Sequence, residues 1–508
     1  MDKRKSIINV AVSIFFRLFL LISIVVRRFL IQYIGNEVNG LDSLYTSLIG
    51  FLSVAELGVG TAITFCMYKP IVEQDNDKVA ALYQLFVKSY RIIGLIMLVL
   101  GIGVIPFLPY LAKDYSELDI NLGFTFLLML ISVVLSYVFS AKTSLINAYK
   151  NNYVTTTISS VGMLLQYVLQ IIVIITTRSY TAYLICRIVA ILLQWFVTEI
   201  YTGKHHRDIL RYGKRSVDRE AKKEVISKVK ALFMHRIGGI LVNSADSMII
   251  SAFIGVVVLG KYSNYSFIAV SMSSLIVLVF TPLTSIIGHM FVSEKEKTER
   301  YFEKLYFLNF VLGMVFFLGY YAVIDNLVLI LFGDNLELSK SVSFIITVNY
   351  FVQFMRQATL VFREATGTFY NDRWKPLFEG VLNAILSIAF VRLLSNIGGD
   401  ELGVVGVIVA TIVTNLTICH LVEPYVLYKH AFQKPVGKHL LKNYIYIAVF
   451  IIGLFGMNAL IQTHENNWIM LLINGSISLG VSAMCILATF IFDKNTRRSL
   501  KIRLNKKS

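Results

Sequence analysis

The spacing of charge along this chain constrains its fold more than any single motif. Only 16% of its 508 residues are charged and 56% are hydrophobic, and the charges fall in short clusters between apolar stretches. A soluble chain of this length would carry roughly a quarter charged residues. Fourteen apolar runs are legible, the first near 7–34 and the last near 468–492. At about 20 to 28 residues they are long enough to cross a hydrocarbon core about 30 Å thick as helices. Long Leu, Ile, Val and Phe runs with only 7 prolines fit helices, and no segment has the alternation of an outer-membrane barrel. The expected fold class is all-α integral membrane, with about fourteen transmembrane helices.

Loop charge tests that number independently. Basic loops hold Lys3-Arg4-Lys5, Lys69 with Lys78, Lys150, the stretch 204–230, Lys295 to Lys304, Arg373 with Lys375, Lys429 to Lys438, and the tail 494–508. They alternate with loops near 35–40, 113–120, 177–180, 254–260, 333–340, 396–401 and 462–467 that hold almost no Lys or Arg. A missed or invented span would invert this alternation partway along, and it does not invert. The positive-inside rule makes the basic side cytoplasmic, with both termini inside. Met1 to Lys5 is basic, but the apolar stretch that follows is too long for a signal peptide and lacks a small-residue cleavage site, so it is expected to remain as the first span. Most of the net charge of +17 therefore serves topology and attraction to anionic membrane lipids. The basic clusters are short and sit in no recognisable domain, which argues against nucleic acid as a partner. Cys66, Cys186, Cys419 and Cys485 all fall in apolar segments without zinc-ligand spacing.

An internal repeat divides the chain. Tyr33-Ile34-Gly35 is followed by Gly40 and Tyr45, and Phe253-Ile254-Gly255 by Gly260 and Tyr265, at an offset of 220 residues. Tyr149, Asn151 and Tyr153 recur as Tyr370, Asp372 and Trp374 at an offset of 221. Six spans separate the copies, so both begin on the same side of the membrane. This predicts two parallel six-helix lobes, 1–203 and 229–428, joined by a basic cytoplasmic linker 204–228. Helices thirteen and fourteen over 441–492 and a basic tail 493–508 complete the chain. Repeated lobes suit alternating access around a central cavity, and hence transport.

Ionisable residues deep in the spans are the candidate functional groups, because each costs roughly 2.5–3.5 kcal/mol unless it faces protein or a watery cavity. In the first span these are Arg17, Arg27 and Arg28; Arg17 and Arg28, eleven residues apart, share one helix face. Glu56 lies near the middle of the second, within Ala55-Glu-Leu-Gly-Val-Gly60, where the glycines permit a close approach or a break and an arginine of the first helix is a possible partner. The seventh carries His235, Arg236 and, on the face of His235, Asp246. The tenth has Arg356 near its centre, with Gln353 and Gln357 beside it, while Arg363 and Glu364 read as boundary residues. Arginine outnumbers carboxylate, so a cavity lined by these groups would be cationic, and guanidinium groups bind phosphate bidentately. An anionic ligand is the physical implication.

Ala55–Gly60, Asp246–Gly255 with Gly260–Tyr265, and Leu402-Gly-Val-Val-Gly-Val-Ile-Val-Ala-Thr411 resemble the polysaccharide repeat-unit flippases (Wzx-type). These belong to the superfamily that also contains multidrug extruders and lipid II flippases, and the resemblance runs over nearly the whole length. It implies a V-shaped pair of lobes in a bacterial plasma membrane, moving undecaprenyl-pyrophosphate-linked oligosaccharide from the cytoplasmic to the outer leaflet. Coupling to membrane potential or to a Na⁺ or H⁺ gradient is implied, with no organic cofactor. So is work alongside a polysaccharide polymerase and chain-length machinery. Arg17, Arg27 or Arg28, and Arg236 are the counterparts that the resemblance offers for the headgroup arginines of similar lipid II flippases, Arg356 is a further headgroup candidate, and Glu56, Asp246 and His235 are the coupling or ion-pair candidates. The alternatives are a multidrug or toxin cation extruder of the same fold, which predicts a carboxylate-dominated cavity, and a membrane enzyme or scaffold of the same pathway. Every loop is short, and no nucleotide cradle or nucleophile motif occurs in the sequence.

Overall fold

The computed structural model describes residues 20–56, 58–115, 119–211, 244–280, 282–461 and 468–492, with scattered positions between 217 and 229. All regular secondary structure among the described residues is helical. The chain forms two compact units, residues 1–260 and 261–508. The division falls just inside the eighth span rather than in the basic loop 204–228, for a reason given below.

Unit 1 holds Leu20–Tyr33, then Asn36–Leu52 and Val59–Val72 as the two parts of the second span, and Asn76–Val104, which continues through a 3₁₀ turn to Leu111. Leu122–Ala148, Asn152–Thr177 and Tyr180–His205 follow, with residues 244–253 as the described part of the seventh span. The eighth span, Val256–Phe280 with Leu283–Ser293, opens in unit 1 and continues into unit 2. Unit 2 adds Lys295–Phe332, Lys340–Met355 with Gln357–Thr366, and Lys375–Thr414. Gly398 and Gly399 break that last stretch with non-helical angles, Gly399 at φ +77°, and so separate the eleventh span from the twelfth. The twelfth passes through two π turns to Phe432; Gly437–Leu460 and Trp468–Phe492 are the last two helices. Eight stretches among the described residues are long and apolar enough to cross a bilayer, one of them holding both the eleventh and twelfth spans. The second, eighth and tenth spans are helices in two pieces, and in the second and tenth neither piece alone reaches that length.

Burial follows the expectation for lipid. The third helix exposes Ile92, Leu95, Ile96, Val99, Leu100 and Ile102 along one stripe, while Tyr90, Ile93, Gly94, Met97 and Gly101 face the unit interior. It starts at Asn76 rather than near 81, because Asp75 caps it by accepting a hydrogen bond from the Lys78 amide at 3.0 Å. From Asn76 to Leu111 it runs 36 residues, about 54 Å at the α-helical rise. Its charge-free stretch, 92–111, matches a hydrocarbon core of about 30 Å, and the charged residues Asp77, Lys78, Lys88 and Arg91 all fall in the turns before it.

The repeat is visible in the backbone. Ile34 and Gly35 both donate to the Leu30 carbonyl at 3.0 and 3.2 Å, and Ile254 and Gly255 both donate to the Ile250 carbonyl at 2.9 and 3.0 Å. Gly35 at φ +130° and Gly255 at φ +140° then turn the chain into the next helix, a region that favours glycine. These two turn-helix motifs bind each other reciprocally inside unit 1. A Cβ on Gly40 would lie 1.9 Å from the Val256 carbonyl oxygen, and one on Gly260 would lie 2.4 Å from that of Asn36. Asn36 donates to the Val257 carbonyl at 2.9 Å and Asn39 to that of Gly260 at 3.2 Å. This contact ties residues 244–260 into unit 1. Tyr45 and Tyr265, equivalent in the repeat and both fully buried, each anchor the start of another helix: Tyr45 donates to the Leu122 carbonyl at 2.9 Å, and Tyr265 accepts from the Leu338 amide at 3.1 Å.

In unit 2 the last two helices dock on the ninth and tenth. Phe351 and Phe450 stack at 3.6 Å, Tyr306 donates to Asn443 and Tyr321 to Asn458, and Ser482 donates to the Met314 carbonyl. At the basic end Glu303 accepts from Tyr428 and Lys442, fixing the twelfth-to-thirteenth connection to the ninth helix.

Glycine at the helix crossing is testable. Gly40→Val must push backbone against backbone, and the expected cost is about 1–3 kcal/mol, read as a lower melting temperature and less monodisperse protein in detergent. Gly103→Ala, where nothing lies within 4 Å of the added carbon, should leave both unchanged.

Candidate functional site

Two groups of buried charge stand out, one in each unit. In unit 2 the tenth, eleventh and twelfth helices bring together Arg356, Arg363 and Lys375 with Asp372, Glu379 and Glu423. Arg356 ends the helix Lys340–Met355 and precedes Gln357–Thr366, so its side chain leaves the tenth span at a joint. Its Nε and Nη2 donate to both oxygens of Glu423 at 3.1 and 2.7 Å, the paired geometry that suits guanidinium and carboxylate. Its Nη1 donates to Asn415 at 2.6 Å and reaches Glu379 at 3.4 Å. Lys375 bridges Glu423 at 2.6 Å and Glu379 at 2.9 Å, and Arg363 binds Asp372 at 2.5 Å with Glu423 at 3.4 Å. Only Arg356 retains appreciable side-chain exposure, 16%, against 1% for Glu423.

The local backbone explains the convergence. A π turn at Asn415–Cys419 widens the twelfth helix so that Asn415, Cys419 and Glu423 face the tenth and eleventh together. Among the described residues the cluster counts three cations against three carboxylates, so it is electrically balanced. Arg363, which reads in the sequence as a boundary residue, is buried here, whereas Glu364 is exposed. Unit 1 has a smaller counterpart in Lys142 paired with Glu199 on the fourth and sixth helices.

The second group lies in unit 1, near the outer ends of the first, second and sixth helices as the charge rule orients them. Asp42 feels Arg187 and, less strongly, Arg27, and accepts a hydrogen bond from Tyr180 at 3.1 Å. Tyr183 lies in the field of Asp42, Arg187 and Arg27, and Tyr167 in that of Arg187. On the fifth helix Gln166 donates to Gln170 and Gln170 to the Tyr183 carbonyl, both at 3.4 Å, which extends the polar layer. Arg27 and Arg187 are half-buried; Arg28, one residue on, is exposed. The layer offers two guanidinium groups around one carboxylate, with phenols and amides beside them: the chemistry of an anion or sugar contact rather than of a cation site.

Glu56 occupies a break in the second span, a 3₁₀ turn Ser53–Glu56 followed by Gly58 at φ +77°. Its described hydrogen-bond partner is a tyrosine, Tyr90, donating at 2.6 Å, with Tyr137 beside it, rather than an arginine of the first helix. Gly60 lets this happen, since a Cβ there would stand 2.3 Å from the Tyr90 hydroxyl. Asp246 is half-buried early in the described part of the seventh span, two residues past Ser244, whose hydroxyl lies against Gly50. Arg17, His235 and Arg236 lie outside the described residues. Asp42 and Arg187 are the residues that reading the spans one by one misses. Arg187 could have been found by periodicity, since it stands opposite the exposed stripe Ile185, Val189, Leu192, Phe196 and Ile200 of its helix.

No protein-family model and no curated protein matches the sequence. Solved structures do match by fold. A lipid II flippase, MurJ, in an inward closed conformation aligns with a TM-score of 0.62 at 12% identity, covering 96% of this chain and 98% of that one. An inward-facing multidrug resistance MATE family transporter of the MOP superfamily aligns with a TM-score of 0.62 at 13% identity, over 87% of this chain and 98% of its own. A Vibrio cholerae MATE transporter, VcmN, aligns with 0.53 at 14%, over 85% and 100%. The expected all-α membrane fold class is therefore the observed one, shared with flippases and extruders alike.

The unit 2 cluster predicts strong non-additivity. Arg356→Met removes the paired donors from Glu423, leaves the buried cluster with one carboxylate in excess and should cost about 3–5 kcal/mol, read as thermal unfolding in detergent. Adding Glu423→Gln restores the charge balance, and the double variant should regain part of that loss.

Proposed function

We propose that this protein is an alternating-access flippase that carries undecaprenyl-pyrophosphate-linked oligosaccharide repeat units from the cytoplasmic to the outer leaflet for surface polysaccharide synthesis. The observation that carries the reading is the polarity of the unit 1 layer. Arg27, Arg187 and a single carboxylate, Asp42, lie half-buried at similar depths in their helices, and Asp42, bonded to Tyr180, feels the charge of both arginines. Guanidinium groups at low dielectric favour phosphate oxygens strongly and repel cationic drugs. The fold likeness to a lipid II flippase, a protein whose own name denotes a lipid-linked substrate, supports the same direction.

In this reading the pyrophosphate meets Arg27 and Arg28 together with Arg17 and Arg236, the glycan takes the hydrated space beside them, and the prenyl tail stays in lipid. Arg356 holds unit 2 together through its carboxylates. Glu56 and Asp246 remain the coupling candidates for a Na⁺ or H⁺ gradient. The protein sits in a bacterial plasma membrane with both termini cytoplasmic, feeding a polymerase and its chain-length machinery. A cation extruder is the rival, favoured by an equal TM-score of 0.62 to a multidrug transporter.

Depletion of the protein followed by mass spectrometry of prenyl-pyrophosphate sugars separates these readings. A complete repeat unit should accumulate on the cytoplasmic leaflet; an unchanged pool favours the extruder, and a truncated glycan favours an enzyme. In a complemented strain Arg28→Ala should abolish export while insertion and abundance hold, and normal export by that variant would remove Arg28 from the headgroup site.

A further inference from the structure

A small cavity in unit 2 is lined by two opposite charges that do not meet. Tyr321, Asp325 and Asn326 of the ninth helix, Lys340 at the start of the tenth and Asn458 near the end of the thirteenth line it, on the loop side poor in Lys and Arg. Elsewhere in this unit Glu303, Asp372, Glu379 and Glu423 each meet a basic side chain at 2.9 Å or closer. Asp325 meets only hydroxyls. Tyr265 and Ser343 both donate to its Oδ1, at 2.9 and 2.7 Å, and among the described residues nothing donates to Oδ2. Lys340 is exposed at the rim; Asp325 lies in its field, yet the two form no ion pair. Glu337, exposed on the preceding loop, is the other charge that Asp325 feels. One turn deeper the walls are aromatic: Phe344, four residues past Lys340, packs on Tyr321 at 6.0 Å and on Phe455 at 5.0 Å between ring centroids. Phe455, three residues before Asn458, is exposed, as is Ile452 beyond it, so this aromatic floor opens onto the surface that lipid covers.

We infer that this cavity holds the headgroup of a zwitterionic phospholipid with a primary amine, its ammonium on Asp325 and its phosphate on Lys340. Opposite charges that line one cavity without touching fit a ligand that carries both, a short distance apart. A primary ammonium has three donors. Asp325 Oδ2 takes one, and the Asn458 carbonyl oxygen, which accepts from Tyr321 at 2.7 Å, has a second lone pair for another. The phosphate meets Lys340 at the rim, where a compact ammonium on a flexible stem suits a partner half in water. The acyl chains follow the aromatic floor out to Phe455 and Ile452. A soluble zwitterion carries the same two charges but has no use for that floor, so the lipid is the assigned occupant. Occupancy also supplies the cation that a carboxylate inside a membrane unit otherwise lacks. The bound lipid is a resident of unit 2 and not its cargo, and the site stands independently of the flippase reading.

Lipid retention by the purified full-length protein in detergent, read by native mass spectrometry, tests the site. The probes are dioleoyl phosphatidylethanolamine, the phosphatidylcholine and phosphatidylglycerol of the same chains, and soluble O-phosphoethanolamine. Phosphatidylcholine keeps both charges but has no N–H to donate, and phosphatidylglycerol keeps the phosphate without an amine. Wild type should hold phosphatidylethanolamine about tenfold or more tightly than either, the worth of a charge-assisted hydrogen bond. Asp325→Asn should bring phosphatidylethanolamine down to the level of phosphatidylcholine. Lys340→Gln, at an exposed position, should weaken phosphatidylethanolamine several-fold at an unchanged melting temperature. Equal retention of the three lipids by wild type overturns the site, as does undiminished phosphatidylethanolamine binding by Lys340→Gln. Displacement of the lipid by O-phosphoethanolamine at matched concentration overturns the lipid assignment in favour of a soluble zwitterion. Asp325 also holds Tyr265 and Ser343, so if Asp325→Asn fails to fold, the wild-type lipid preference and Lys340→Gln decide.

Discussion

Charge in hydrocarbon is costly, and that cost organises this molecule at every level. It drives Lys and Arg to one set of loops, gives the chain its sense across the membrane, and forces each buried ion to find company inside its own unit. The unit 2 cluster meets the demand in full. Glu423, 1% exposed, draws Arg356, Lys375 and Arg363 from two other helices, and Glu379 with Asp372 completes the balance. Such a cluster is costly to disturb, because losing one member leaves the others with unequal buried charge. Unit 1 meets it differently, with arginine in the majority and half-buried around Asp42. The two units therefore carry different chemistry on one repeated backbone plan, one charge-matched and closed, the other cationic and accessible.

The repeated plan rests on small residues at fixed places. Gly35 and Gly255 take the same turn, and Gly40 and Gly260 admit the backbone of the opposing motif. Asparagine then supplies hydrogen bonds across the crossing, from Asn36 and Asn39, where helices in lipid cannot rely on hydrophobic attraction to associate. Polar ties of the same kind hold the last two helices to the ninth, through Tyr306, Tyr321 and Ser482.

Much of the fold was legible because lipid imposes a strong, one-dimensional signal. Among the described residues, the apolar runs correspond to helices and the offset of 220 residues to matching turns. Arg356 was legible as a buried charge. Its partners were not, because Lys375, Glu379 and Glu423 lie near the ends of other spans, where a charge is ordinary and nothing in one dimension links them. Arg363 was read as a boundary residue for the same reason. Asp42 escaped notice six residues into its helix, and Arg187 because a lone cation in a short span resembles a topology signal until its neighbours are folded around it. The break at Glu56 was foreseeable from its glycines, but not its tyrosine partners, which come from the third and fourth helices.

The third helix carries a mechanical consequence. Its initial stretch, 76–91, continues the membrane rod for 16 residues beyond the charge-free core, about 24 Å of stiff helix. Val79, Ala80, Leu82, Phe86 and Tyr90 are buried on this stretch, so the rod is packed within its own unit along its length. Tilting it by about 10°, small beside the range membrane helices adopt, sweeps the tip through about 4 Å, more than the diameter of a water molecule. The ninth helix, 38 residues from Lys295 to Phe332, is built alike, but its tip is clasped to the neighbouring connection through Glu299 and Glu303. Because the third helix also carries the Tyr90 hydroxyl, a displacement of this stretch would be transmitted to the Glu56 break.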